Sequence, residues 1–266
     1  YTCVLMITVL NRASASGSSV NRIVGGSATT VETYLYMSNM QYIFDGVWWR
    51  HVCGGSLLTS TAVLSAAHCF YGDQDSDYRV VLGSSYSNSG GSVHYIRQII
   101  MYPEYDHAAY NNDVAMVRLI NPAVFSSRVQ VARIPGPNYI IADGANVTFV
   151  GWGRLLADEP QSSDELMHVD VNIINQELCA ERYAYLNATD HDYEDIPDVT
   201  SGMICANVLD QGGKGSCTGD SGGPLAHFGD IVVGVTSWNY DCGDPFYPSV
   251  SARVSHFSNW IVANAN

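Results

Sequence analysis

The sequence predicts an all-β protein closed by one C-terminal helix, on three observations. Short apolar runs rich in Val, Ile and aromatic residues recur along the chain, the side chains that suit a pleated, half-buried surface. Gly, Asn, Ser and Asp interrupt them about every ten positions, the spacing of turns between strands. Only the last stretch changes period: in VSHFSNWIVANAN (254–266), Val254, Phe257, Trp260 and Ile261 fall on one helical face.

The elements follow in chain order. CVLMITVL (3–10), followed by the small polar stretch ASASGSS, has the pattern of the apolar region and cleavage site of a secretory signal whose beginning is missing; a buried strand is the alternative. The run is far shorter than the roughly 20 apolar residues of a membrane span, so no membrane partner is expected. Strands are expected around VVLGSS (80–85), HYIRQIIM (94–101), DVAMVRLI (113–120), VTFVGWG (147–153) and IVVGVTSW (231–238). Long linkers, repeats and low-complexity tracts are missing.

With 266 residues, 47% of them apolar and 14% charged, the chain can bury one large or two small cores. Its net charge of −14 and the scatter of its 12 basic residues argue against a nucleic-acid partner, because phosphate binding draws on clustered Lys and Arg. Eleven of the twelve are Arg, and Lys214 is the only Lys.

Three segments carry chemistry. LSAAHCF places His68 beside Cys69, NNDVAMVRL places Asp113 at the head of an apolar strand, and GDSGGPL places Ser221 among glycines. Acyl transfer needs these three residue types. A serine hydroxyl is a weak nucleophile, an imidazole takes and returns its proton, and a carboxylate fixes the imidazole tautomer and stabilises its charged form. Each alone has an ordinary structural explanation; their order inside extended motifs changes the reading.

Those motifs are IVGG (23–26), CGGSLL (53–58), AAHC (66–69), DVAMVRL (113–119), GWG (151–153), GDSGGPL (219–225), SW (237–238) and SNWI (258–261). On them, the chain resembles the secreted serine proteases of the trypsin and chymotrypsin family over everything after residue 22. The resemblance implies two six-stranded antiparallel β-barrels with the active site in the cleft between them and no cofactor. It implies His68 as general base, Asp113 as its orienting partner and Ser221 as nucleophile, with the N–H groups of Gly219 and Ser221 as oxyanion hole. It also implies that residues 1–22 are leader and activation peptide and 23–266 the protease domain. Cleavage between Arg22 and Ile23 would free an ammonium that pairs with Asp220, so the uncut chain would be an inactive zymogen.

The seven cysteines leave connectivity open in the sequence, but the family pattern implies Cys53 with Cys69, Cys179 with Cys205 and Cys217 with Cys242, and leaves Cys3 over. Three such bridges imply an oxidising, extracellular compartment. Two sequons, at Asn146 and Asn187, permit N-glycans there.

By register with the family, the pocket for the residue before the cut bond has Gly215 at its floor, where relatives that cut after Arg or Lys carry Asp. Ser216, Ser237, Trp238, Asn239 and Ser249 form its rim and walls. A buried guanidinium or ammonium would find no carboxylate. The expectation is an uncharged pocket of reduced volume that takes Leu, Met or Ala over Trp, in the manner of chymotrypsin and elastase. Asp241 and Asp244 flank Cys242 and keep cleavage after Arg or Lys as the alternative, and a non-catalytic homologue that only binds is a second one. The loop SSYSNSGGS (84–92) lacks the carboxylates of a Ca²⁺ site, and the eight His show no ligand spacing, so no metal is expected. Expected partners are protein and peptide substrates, an activating trypsin-like protease and protein inhibitors, with the chain itself a monomer. The Arg bias suits alkaline surroundings, because Lys loses its charge near pH ~10.4 and Arg only beyond ~12. In that it resembles digestive serine proteases of insect larvae with an alkaline gut lumen.

Overall fold

The computed structural model describes residues 25–156, 161–189 and 196–265. Cys3, Arg22, Ile23 and the expected leader lie outside them.

A short strand β1 (Ser27–Ala28) leads into a closed antiparallel barrel. Its strands are β2 (Met37–Phe44), β3 (Trp48–Thr59), β4 (Ala62–Ser65), β5 (Tyr78–Leu82), β6 (Ser92–Met101) and β7 (Ala115–Leu119), in the spatial order β2-β3-β4-β7-β6-β5. The hairpin of β2 and β3 turns at Asp45 and Gly46, both left-handed with φ of 53° and 68°. Two such residues give the turn whose twist matches that of paired strands.

The second barrel consists of β8 (Asn146–Gly151), β9 (Met167–Ile174), β10 (Met203–Asn207), β11 (Pro224–His227), β12 (Ile231–Trp238) and β13 (Ser249–Arg253). They are ordered β9-β10-β13-β12-β11-β8, and pairing of β8 with β9 closes the circle. β1 adds to the outside of β9 with Ser27 opposite His168. Val147, Phe149, Val169, Val171, Leu225 and Val233 fill this barrel, and they alternate with exposed or half-buried neighbours along β9, whose pattern is set by the two faces of a strand.

Among the described residues, two α-helices complete the fold. The expected C-terminal helix is α2 (Val254–Asn264), which buries Val254, Phe257 and Ile261. Trp260 is only partly buried, its ring 5.3 Å from Tyr102. α2 lies against β12 of the second barrel and also reaches the first, where Arg118 Nη1 donates to the Asn264 carbonyl at 2.7 Å. The other helix, α1 (Gln176–Thr189), is a feature the strand-dominated sequence reading missed. Its reason is local: Asn175 Oδ1 accepts from the Leu178 N–H at 3.0 Å and caps its first turn. Cys179, Tyr183 and Leu186 then form a buried stripe at helical spacing.

Disulfides join Cys53 to Cys69, Cys179 to Cys205 and Cys217 to Cys242. The first holds the turn after β4 to β3, the second pins α1 to β10, and the third ties the segment before β11 to the one after β12.

Candidate active site

The site assembles at the facing ends of the two barrels. His68 sits on a single 3-10 turn (Ala67–Cys69) that ends β4. Asp113 precedes β7 and is 1% exposed. Its Oδ1 accepts the backbone N–H of His68 at 2.8 Å and its Oδ2 lies 2.6 Å from His68 Nδ1. A third donor comes from the other barrel, since Ser237 on β12 donates through Oγ to Asp113 Oδ2 at 2.5 Å. Burial without partners would make this carboxylate costly; three donors offset that and fix the ring of His68.

Ser221 lies in the loop that enters β11. The Gly54 N–H on β3 donates to its carbonyl at 2.8 Å, and the Gly222 N–H donates to Thr236 O on β12 at 2.8 Å, so both barrels clamp the turn. At Gly219, φ is +99° and a Cβ would stand 2.8 Å from Ser162 Oγ, so only glycine fits without strain. The Gly219 carbonyl accepts from His51 Nε2 at 2.8 Å. Burial drives the imidazole of His51 down to about 4, so it is neutral near neutrality.

Asp220 points away from solvent and is 1% exposed. Its carboxylate accepts the N–H groups of Gly153 at 2.8 Å and Cys217 at 2.9 Å. A side chain at Gly153 would overlap it. Burial raises its acid to about 6 despite these two donors.

One cavity of about 210 Å³ joins the parts: it is lined by His68, Ser221, Tyr110, Ser216, Ser237, Trp238 and Asn239, together with Cys217, Thr218 and Thr236. Gly215 and Ser249 are buried and are not among its lining. Asp241 Oδ1 accepts the Cys242 N–H at 2.6 Å, and Asp244 Oδ1 accepts those of Phe246 and Tyr247 at 2.7 Å. Neither carboxylate lines the cavity.

Tyr110 was not singled out in the sequence. Its ring stands edge-on to His68 at 5.5 Å, with a left-handed backbone, φ 47°. The signal was there in AYNND, where an aromatic residue and two Asn crowd the turn before Asp113. Cys53, His68 and Cys69 gather three ligand-type side chains, but both sulfurs are spent in a disulfide and offer no thiolate.

Comparison with known proteins agrees with this architecture. The family described as Trypsin matches residues 23–261. Trypsin, alkaline A, of Manduca sexta is 41% identical over 244 residues, covering 92% of this chain and 91% of the relative. Trypsin CFT-1 of Choristoneura fumiferana is 39% identical over 264 residues, 99% of each chain. Hypodermin-A of Hypoderma lineatum is 36% identical over 248 residues, 93% of this chain and 89% of the relative. With two closed barrels, a His-Asp pair beside a serine in one cleft and these relatives along nearly its whole length, the chain belongs to the trypsin family and is a serine endopeptidase.

Proposed function

We propose that Ser221 is the nucleophile of a secreted endopeptidase, with His68 as general base and Asp113 as the group that orients it. The observation that carries this is the His68–Asp113 pair at 2.6 Å opening into the cavity that Ser221 lines. Ser221 Oγ attacks the scissile carbonyl while His68 Nε2 takes its proton. Asp113 holds Nδ1–H and stabilises the imidazolium. The N–H groups of Gly219 and Ser221 receive the oxyanion, where one donor is worth about a hundredfold or more in rate. His68 then returns the proton to the leaving amine. Ser221→Ala tests the assignment: peptide hydrolysis and labelling by a serine-directed phosphonate should both vanish with folding intact, and substantial residual turnover would show that the nucleophile is another residue.

Residues 1–22 act as leader and activation segment in this reading, and the family match that begins at Ile23 supports the boundary. The word alkaline in the name of the Manduca sexta relative supports an alkaline working environment such as a gut lumen.

Two observations pull apart on specificity. The relatives named trypsin favour cleavage after Arg or Lys, and back that alternative better than the chymotrypsin-like or elastase-like expectation. Against it stands the absence of a carboxylate among the described residues lining the cavity, with Gly215 where a matching acid would be needed. An unpaired charge buried there costs several kcal/mol. On that ground the residue before the cut bond is uncharged. A peptide library varied at this one position decides between the two.

A further inference from the structure

The Gly54 N–H that donates to the Ser221 carbonyl places β3 beside the nucleophile. Followed from Gly54 back to its first residue, the strand leads away from the cleft to the tip of the β2–β3 hairpin at Trp48. That is six positions, about 20 Å of strand. Among the described residues, β3 pairs with β2 from Trp48 to Ser56 and with β4 only from Ser56 to Thr59, so its second edge between Trp48 and Cys53 has no strand beside it. An open edge is a template for an extended chain.

Along this course lies a hollow of about 380 Å³ lined in part by Arg50, His51 and Ser162. His51 bonds the Gly219 carbonyl, and Ser162 Oγ stands 2.8 Å from where a Cβ on Gly219 would be, so the hollow adjoins the oxyanion loop. It shares no residue with the cavity lined by Ser216 and Asn239. The tip beyond it is apolar. Phe44 and Trp48 are direct cross-strand partners on one face of the hairpin, 41% and 65% exposed, and Val47 in the turn between them is 64% exposed. Trp49 turns to the opposite face, where the Arg79 guanidinium stands 4.5 Å over its ring. Single exposed apolar side chains are ordinary; three together, at the end of an open edge that starts at the nucleophile, form a surface.

We propose that Phe44, Val47 and Trp48 dock the part of a protein substrate that follows the cut bond, taking an apolar or aromatic residue about six positions beyond it. This rests on the assignment of Ser221 as nucleophile and of the cavity lined by Ser216 and Asn239 to the residue before the cut bond. With that residue in the cavity, the rest of the chain leaves Ser221 on the side of the hollow and runs along the open edge of β3. An extended chain of about six residues covers the same ~20 Å and brings its last side chain to Trp48. The tip is far from the reacting bond, so it holds substrate and transition state equally. Its contribution reads in KM and leaves kcat as it is.

The test uses mature enzyme obtained by cutting the full chain after Arg22 with immobilised trypsin, with active enzyme counted by phosphonate labelling. Three peptides share the half before the cut bond: one ends shortly after it, one continues as a long Gly-Ser segment, and one is that long peptide with Trp at the sixth place. Wild type should cut the Trp peptide with a kcat/KM about tenfold above the Gly-Ser peptide, through a lower KM at equal kcat. In Trp48→Ser and, as a second variant, Phe44→Ser, that ratio should fall to within about twofold of one, and Trp48→Phe should keep most of it. A wild-type ratio near one, a gain that survives both Ser variants, or an equal gain with the Trp moved to the second place overturns the dock. Wild type sedimenting as a dimer and Trp48→Ser as a monomer would give the tip to a second copy of the chain and overturn it too. Ser221→Ala on the shortest peptide tests the nucleophile, so the two assignments fail separately. If neither Ser variant folds, the wild-type ratio and the move of the Trp decide.

Discussion

Ser237 Oγ lies 2.5 Å from Asp113 Oδ2, the same oxygen that His68 Nδ1 approaches at 2.6 Å. Asp113 belongs to the first barrel and Ser237 to β12 of the second, so this hydroxyl spans the cleft. The pair that orients the imidazole is completed only when the barrels are docked.

Asp113→Asn should lower kcat by roughly 10⁴, because an amide can hold His68 in the wrong tautomer and cannot stabilise its cation. Ser237→Ala should cost about tenfold, since the carboxylate keeps two of its three donors. Thermal unfolding would check that both variants are folded. An unchanged kcat in Ser237→Ala would mean that the hydroxyl does not orient Asp113.

Gly215→Asp is the change that would install an acid at the expected floor. Its Cβ would meet Gly243 Cα at 3.1 Å and Ser249 Oγ at 3.2 Å, and backbone cannot move aside as a flexible side chain can. The expected result is a lower Tm and no useful gain of cleavage after Arg. Efficient Arg cleavage by this variant would show that the floor opens into the cavity after all.

Asp220 gives a pH dependence whose sign can be worked out for the uncut chain. Its folded acid is raised to about 6 from an ordinary 3.8 by burial. Below 3.8 both folded and unfolded chains hold the proton and its stabilising contribution is complete. Between 3.8 and about 6 the unfolded chain ionises first, and the contribution is lost as pH climbs through the folded value. Asp220→Asn proenzyme should therefore be more stable than wild type above pH 6 and lack this dependence. After cleavage it should stay inactive, having no carboxylate for the Ile23 ammonium. Urea unfolding of both proenzymes across this window checks it, and equal slopes against pH would refute it.

The basic set of eleven Arg and one Lys predicts activity that persists at alkaline pH. In the proposed activated form, pairing with Asp220 would raise the folded pKa of the Ile23 ammonium. Its contribution is full below the unfolded value of about 8 and fades as pH rises through the folded one. A pH–rate profile that collapses by about pH 8.5, near the unpaired amine, would refute the pairing or the alkaline setting.

The strands and the segments that carry His68, Asp113 and Ser221 were legible because their signals are local. DVAMVRLI became β7 with Asp113 at its head, and IVVGVTSW became β12 to the residue. Helix α1 was legible in principle, through Asn175 and the stripe of Cys179, Tyr183 and Leu186, but the strand-like runs around it set the expectation. The hydrogen bond from Asn239 Nδ2 to the Ser216 carbonyl was not legible. It joins residues 23 positions apart, and only the fold sets the distance from amide to carbonyl. Tyr110 beside His68 depended likewise on a left-handed turn that no composition rule demands.

Activation and specificity meet at Arg22. The bond that the proposed activation would cut follows an arginine, and the cavity offers a buried guanidinium no carboxylate among its described lining residues. Transfer of that charge without a partner costs several kcal/mol, so the mature enzyme should process its own proenzyme slowly. A protease that carries an acid at the floor of its pocket should cut the Arg22–Ile23 bond readily. Purified proenzyme incubated alone, with a trace of mature enzyme and with a trace of trypsin separates these routes, following release of the Ile23 terminus and activity on an Ala or Leu peptide. The expected course is rapid conversion with trypsin and little without it. Accelerating conversion seeded by the mature form would mean that the pocket accepts arginine, as the names of the relatives favour. Asp241 and Asp244 would then be the carboxylates to replace first, because they are the two acids that flank Cys242.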